Sequence, residues 1–416
     1  MRRLLPAFLA LWLLVLTACG PATSAPAVSE GPEASAETET PETPETPEAP
    51  AAPLAPEPAP APEPTAEELA VREIEDLLSS MTPEEKVGQL FFVRCPASHA
   101  AEDAAAYHLG GYLLFGRDFQ DASGSWLTEE AFTETLRSYQ DAAAIPLLIG
   151  VDEEGGTVAR ASRNPNLFPQ KARSPQALAA AGQEDGNIFA EDAWEKSQRL
   201  LALGINVNLA PVADVSTDPG DFIYSRALGR DAAATAEYVR AVVGAMKDAG
   251  IGSVLKHFPG YGSNADTHTG VAVDTRPWET FTDSDLVPFA AGMAAGGAAT
   301  AVLVSHNLVT CMDGALPASL SPAVHEVLRE ELGFSGVVMT DDLAMDAVAA
   351  YAREGSAAVL AIAAGNDLVV TSDYRAQIPQ VLAALADGTL DPSAIDTACR
   401  RVLTWKQALG LLDGGA

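Results

Sequence analysis

From about Ala66 onward, short apolar runs bounded by turn residues alternate with longer amphipathic stretches, and few folds accept that pattern. The strand-like runs are Leu90–Val93, Gly111–Phe115, Leu147–Val151, Ile205–Ala213, Ser253–His257, Ala301–Ser305, Gly336–Thr340 and Asp367–Thr371. Between them lie segments with helical spacing of apolar residues, such as EAFTETLRSYQDAA, FAEDAWEKSQRLLALG and AAATAEYVRAVVGAMKDAG. Several end in Gly, as helix C-termini tend to. Strands that are apolar throughout belong in parallel sheets covered by helices. Eight such units in about 340 residues fit an α/β fold, a closed (β/α)8 TIM-type barrel, with an open doubly wound sheet as the competing topology.

The polar residues choose between the two. In a barrel, chemistry sits on the loops after the strands. Here the runs lead into Asp152-Glu153-Glu154-Gly155-Gly156, Asp214, Lys256-His257, His306-Asn307, Asp341-Asp342 and Asp373. Ionisable side chains thus recur at one end of six of the eight strands, whereas an open sheet gathers them near one switch point. No GxGxxG or Walker loop follows a strand, so no nucleotide cofactor is expected.

The N-terminus reads as an address. Met1-Arg2-Arg3 precedes the apolar run LLPAFLALWLLVL, which is shorter than the roughly 20 residues of a membrane span. Leu16-Thr17-Ala18-Cys19-Gly20 resembles a bacterial lipoprotein processing box, which makes 1–18 a signal peptide and Cys19 the acylated first residue of the mature chain. Residues 19–65, including PETPETPEAPAAPLAPEPAPAPEP, hold too little apolar surface to offset their ordering entropy. They are expected to be a disordered linker, stiffened by proline and spanning up to roughly 140 Å. The globular domain is then 66–416. Three cysteines remain, Cys95, Cys311 and Cys399, and nothing in the sequence pairs them. The 416 residues carry 25 Lys+Arg against 57 Asp+Glu, a net charge of −32 that argues against nucleic acid as a partner.

The segment Lys256-His257-Phe258-Pro259-Gly260-Tyr261-Gly262-Ser263-Asn264-Ala265-Asp266-Thr267-His268 is the most informative. Lys256 and His257 would project donors from a strand end. Asp266 and His268, two apart, face one side when extended, and a carboxylate beside an imidazole suits general acid/base work near neutral pH. A hydrogen-bonded surface pair has the same pattern. Asp341-Asp342 is the second candidate: adjacent carboxylates repel, so one has reason for a raised pKa, although two acidic residues before a helix from Leu343 also serve as caps. Asp152, Arg160 and Arg226 suit hydroxyl recognition or rim ion pairs, and local sequence does not choose.

Taken together, these motifs resemble family 3 glycoside hydrolases, in particular their β-N-acetylhexosaminidase branch, from about Ala66 to Leu412. The resemblance is carried by VDEEGG with Arg160 eight positions after Asp152, NVNLAPVADV, Ser225-Arg226 with Leu228-Gly229, KHFPG, Asp266-Thr267-His268 and TDDLAM. It implies a retaining exo-β-N-acetylglucosaminidase in which Asp341 is the nucleophile and His268, oriented by Asp266, is the acid/base. Asp152, Arg160, Arg226, Lys256 and His257 match positions that bind the sugar. The resemblance further implies a lipid-anchored, extracytoplasmic monomer acting on amino-sugar glycans or muropeptides, with no metal or other cofactor. Tyr261 departs from the family, which commonly has His there, and the loop after it looks a residue short. A β-glucosidase, an N-acetylglucosaminide phosphorylase and an inactive glycan-binding lipoprotein are the alternatives.

Overall fold

The computed structural model describes residues 64–412, apart from 183–186, 265–269, 271, 350 and 352–355. The expected lipidation site Cys19 and the linker as far as residue 63 lie outside the described residues. Eight parallel strands form one sheet: β1 (Phe91–Arg94), β2 (Gly111–Leu114), β3 (Leu148–Val151), β4 (Val207–Asn208), β5 (Gly252–Phe258), β6 (Thr300–Val304), β7 (Val338–Thr340) and β8 (Val369–Thr371). Neighbours run in chain order, and β8 pairs β1 in register Phe91↔Val369. The remaining seam is spanned by the bridge Met339↔Leu368 and by Thr340 Oγ1 accepting from Val370 N at 3.0 Å. This is the TIM-type barrel expected from the alternation.

The eight runs read from the sequence are these strands, with ends shifted by one or two residues except at Ile205–Ala213. There the ladder stops at Asn208, and Val212 returns only as an isolated bridge to Lys256. A cis Ala210–Pro211 peptide lies between them, and Pro211 has no N–H to offer a ladder.

Alternate strand residues fill the barrel: Phe92, Leu113, Leu148, Val254, Leu303, Met339 and Val370 belong to one buried cluster. Their neighbours Phe91, Val93, Leu114, Ile149, Leu255, Val302, Val338 and Val369 pack outward into a second, larger core under the helices. Val402 and Trp405 of the helix Pro392–Ala408 join the inner cluster. Trp405 Nε1 donates to Ala299 O at 3.1 Å, just ahead of β6, so this helix covers the N-terminal end of the barrel and leaves the other end for chemistry.

The same helix buries Lys406, whose Nζ donates at 2.6 Å to Gln89 Oε1, a neutral partner. Burial pushes the Lys406 ammonium down to about 7. Below that pH both folded and unfolded chains carry the charge. Between pH 7 and the unfolded lysine value near 10.4, the unfolded chain binds more protons, so stability rises with pH. Lys406→Met is expected to raise the thermal midpoint near pH 7 and to flatten the gain in stability between about pH 7 and pH 9. Denaturant titrations at both pH values check this; a variant less stable than wild type at each would contradict it. Cys95, Cys311 and Cys399 are free thiols.

Candidate active site

Because side chains alternate along a strand, the residue two beyond an inward one also points inward, one layer nearer the mouth. Arg94 follows Phe92, Phe115 follows Leu113, Lys256 follows Val254 and Asp341 follows Met339 in this way. Asp152 follows Gly150, whose missing β-carbon would meet Phe92 and Leu209 of the inner cluster. Arg94, Asp152, Lys256 and Asp341 thus make the C-terminal mouth polar by continuing the inward rows of their strands past the apolar plug.

Four of the sequence candidates gather into one network there. Lys256 Nζ lies 2.6 Å from both Asp152 Oδ1 and Glu154 Oε1. Arg226 grips Glu154 with two bonds, Nε to Oε2 at 2.9 Å and Nη2 to Oε1 at 2.7 Å. Its Nη2 also lies 3.1 Å from His257 Nε2. A guanidinium only donates, so His257 Nε2 accepts and Nδ1 carries the proton, donating to Asp214 Oδ2 at 2.8 Å. The side chains of Glu154 and Lys256 are 2% exposed, whereas Asp152 and Arg226 keep 16%. Asp152 and Arg226 form the more open edge of the network, and Glu154 and Lys256 its buried floor.

The electrostatics follow from that burial. Desolvation alone would raise the Glu154 carboxyl, but Lys256 and Arg226 overrule it and hold it well below the usual range. Desolvation would likewise discharge Lys256, yet Asp152 and Glu154 keep its ammonium above the ordinary lysine value. The result is a set of fixed, fully charged groups, as polar recognition in a dry pocket requires.

Glu153, the other acid of the run, is structural. Its carboxylate accepts from Arg160 N at 2.8 Å, Ala161 N at 2.7 Å and the Ser162 hydroxyl, so it shapes the loop that presents Arg160. Gly155 has φ +94°, and a β-carbon there would run into the Arg173 carbonyl oxygen, which is why this turn needs glycine.

Asp341 leaves β7 with its N–H bonded to Val304 O at 3.0 Å, and its Oδ1 accepts from Asp342 N at 2.8 Å. Asp342 closes a turn: its Oδ1 accepts from Ala344 N at 3.0 Å, and the helix expected from Leu343 begins only at Asp346, so the cap expected there is not a helix cap. Burial, aided by Asp341, raises the Asp342 carboxyl, as adjacent acids suggested. Buried His306 donates from Nε2 to the Asp342 carbonyl at 3.0 Å, while its Nδ1 lies 2.7 Å from Ser319 Oγ. It braces the Asp341–Asp342 turn, a role the sequence did not disclose.

Asp266 and His268 lie outside the described residues, but the stems of their loop are defined. Arg276 bonds Asp274, Asp285 and Gly260 O, and Asn264 Nδ2 donates to Asp274 Oδ2 at 2.7 Å. Burial pushes the Asp285 carboxyl up to about 6, against the pull of Arg276. Tyr261 is core rather than rim: its N–H donates to Asp214 Oδ1 at 2.7 Å and its ring meets His257 edge-on at 5.3 Å.

Sequence reasoning missed Glu154 and Asp214 as contributors. The first sits in the quoted acidic run and the second at a strand end.

Residues 82–405 match the family model described as glycosyl hydrolase family 3 N terminal domain. A beta-hexosaminidase of Alkalilimnicola ehrlichii is 35% identical over 289 residues, covering 67% of this chain and 78% of its own. The beta-hexosaminidase LpqI of Mycobacterium tuberculosis is 32% identical over 338 residues, 78% and 83% of the two chains. Among solved structures, a glycoside hydrolase family 3 beta-N-acetylglucosaminidase from Paenibacillus sp. superposes with a TM-score of 0.72 at 32% identity, over 81% of this chain and 64% of that longer one.

Proposed function

The chain belongs to glycosyl hydrolase family 3, and from that premise we propose that it is a retaining exo-β-N-acetylglucosaminidase. The observation that carries the proposal is the charged network of Asp152, Glu154, Arg226, Lys256 and His257 at the same barrel mouth as Asp341. Lys256, Arg226 and the open side of Asp152 take the hydroxyls of a terminal β-linked N-acetylglucosamine, with Arg160 at the rim. In the first step an Asp341 carboxylate oxygen attacks C1 and the bond from C1 to the leaving oxygen breaks. His268, oriented by Asp266, gives that oxygen its proton. In the second step His268 takes a proton from water, the hydroxide attacks C1, and the ester bond breaks to regenerate the Asp341 carboxylate. Two inversions leave the anomeric configuration as it began. A neutral imidazole base adds no second negative charge beside the glycosyl ester.

We further propose that the substrate is cell-wall muropeptide or a related amino-sugar glycan. The enzyme reaches it as a lipoprotein acylated at Cys19, with 19–65 as a stalk and 66–416 as a monomeric catalytic domain. The support is the processing-box motif and the Pro/Glu-rich composition.

Full-length protein in detergent is expected to favour nitrophenyl β-N-acetylglucosaminide over the β-glucoside by about tenfold or more in kcat/KM. Added inorganic phosphate should leave the product as free sugar. Equal or better glucoside cleavage, or release of a sugar 1-phosphate, would overturn the assignment.

A further inference from the structure

The chain has 25 basic side chains against 57 acidic ones, and its shielded arginines are paired: Arg226 with Glu154, Arg276 with Asp274, Arg329 with Asp367. Arg94 and Arg160 break this pattern. Each is half-buried, and each has an Nε shielded from solvent with no hydrogen-bond partner. Both guanidinium carbons lie over the Phe115 ring, 4.1 Å from its centroid for Arg94 and 6.0 Å for Arg160. The ring steadies the charge but accepts nothing from the in-plane N–H groups. A buried donor kept idle is costly, and native proteins keep few of them.

Position says what the idle donors face. Arg94 ends β1 on the inward row of Phe92, and its charge acts on Asp342, so it stands on the Asp341 side of the mouth. In a sheet that runs from β8 through β1 to β7, β1 and β5 lie four strands apart, across the barrel from each other. Lys256 and its partners occupy the β5 side.

We propose that Arg94 is a further substrate-contact residue, its guanidinium donating to an oxygen of the terminal sugar across the pocket from Lys256 and Arg226. The inference rests on the glycosidase assignment and deepens it. Phe115 is the platform beneath the Arg94 guanidinium, and among the described residues Asp342, whose Oδ1 accepts from Ala344 N, closes no salt bridge with it.

The test is Arg94→Met, which keeps the unbranched stem and its contact with Phe115, beside Arg94→Lys. Because the Arg94 side chain has no hydrogen bond or ion pair among the described residues and Met keeps its stem on Phe115, Arg94→Met should change the thermal midpoint by no more than a few degrees. It should lower kcat/KM on nitrophenyl β-N-acetylglucosaminide by roughly tenfold to a hundredfold, with partial recovery in Arg94→Lys. N-acetylglucosamine itself is the second probe. It should raise the midpoint of wild type and raise that of Arg94→Met less at the same concentration. Equal sugar-induced shifts with kcat/KM within about twofold would overturn the inference, as would activity lost only in step with the midpoint. Should wild type bind the sugar but cleave nothing, the catalytic assignment fails while the Arg94 comparison still decides its own question.

Discussion

Asp341→Ala is expected to lower kcat/KM on nitrophenyl β-N-acetylglucosaminide by about 10⁴-fold or more, because the proposed mechanism leaves no other group to form the glycosyl ester. Asp341 Oδ1 also accepts from Asp342 N at 2.8 Å, so the thermal midpoint is read beside the activity. Asp341→Asn keeps an acceptor for that N–H and should be as inactive, which separates chemistry from turn geometry. Asp342→Asn, by contrast, retains an acceptor for Ala344 N and should stay within about tenfold of wild type. Azide offers a further check on Asp341→Ala. Attacking C1 from the vacated side, it should restore turnover and yield the α-glycosyl azide. A variant within tenfold of wild type, or a β-azide product, would contradict the assigned nucleophile.

Lys256→Met has the second large effect, and it acts on binding and stability together. Its ammonium is shared by Asp152 and Glu154 at 2.6 Å each, so removal leaves Asp152 without that partner and Glu154 with Arg226 alone. Breaking a buried pair in this way costs about 3–5 kcal/mol, the expected loss in a urea titration near pH 7. Activity should fall about 10³-fold, since both a donor and the orientation of Asp152 go. The acid limb follows in sign. A carboxyl held low in the fold stabilises it above the unfolded glutamate value near 4.3 and loses that contribution as pH falls through the folded value. Wild-type Glu154 is held far down by Lys256 and Arg226, so the variant should unfold at a higher pH on acidification. Adding Glu154→Gln to Lys256→Met should recover part of the stability and none of the activity. A single variant as stable as wild type, or one losing stability without activity, would show that the network does not hold the sugar.

Much of this was legible before any coordinates, for a physical reason. A parallel barrel writes each strand as a continuous apolar run, and ladder geometry then puts whatever follows at the mouth. Asp152, Lys256 and Asp341 could be placed by that rule alone. Ile205–Ala213 misled because apolarity persists past Asn208, where pairing with β5 becomes a single bridge. The identity of the ion pairs was not legible, because Glu154 meets Arg226 and Lys256 across strands far apart in sequence. Local pattern likewise could not distinguish Glu153, consumed by backbone N–H groups, from Glu154 beside it. His306, placed by the sequence only at a strand end, is a brace. Tyr261, the departure from the family's usual histidine, is absorbed by packing on His257 and by Asp214.

The covalent intermediate is the most direct test of the chemistry. A 5-fluoro-N-acetylglucosaminyl fluoride of β configuration slows breakdown of the ester enough for an acid quench and peptide mapping by mass spectrometry. The expected result is one sugar adduct on the peptide containing Thr340-Asp341-Asp342, located to Asp341 and absent from Asp341→Asn. An adduct on another carboxylate, or no adduct with an inverted first-formed product, would contradict a retaining mechanism through Asp341.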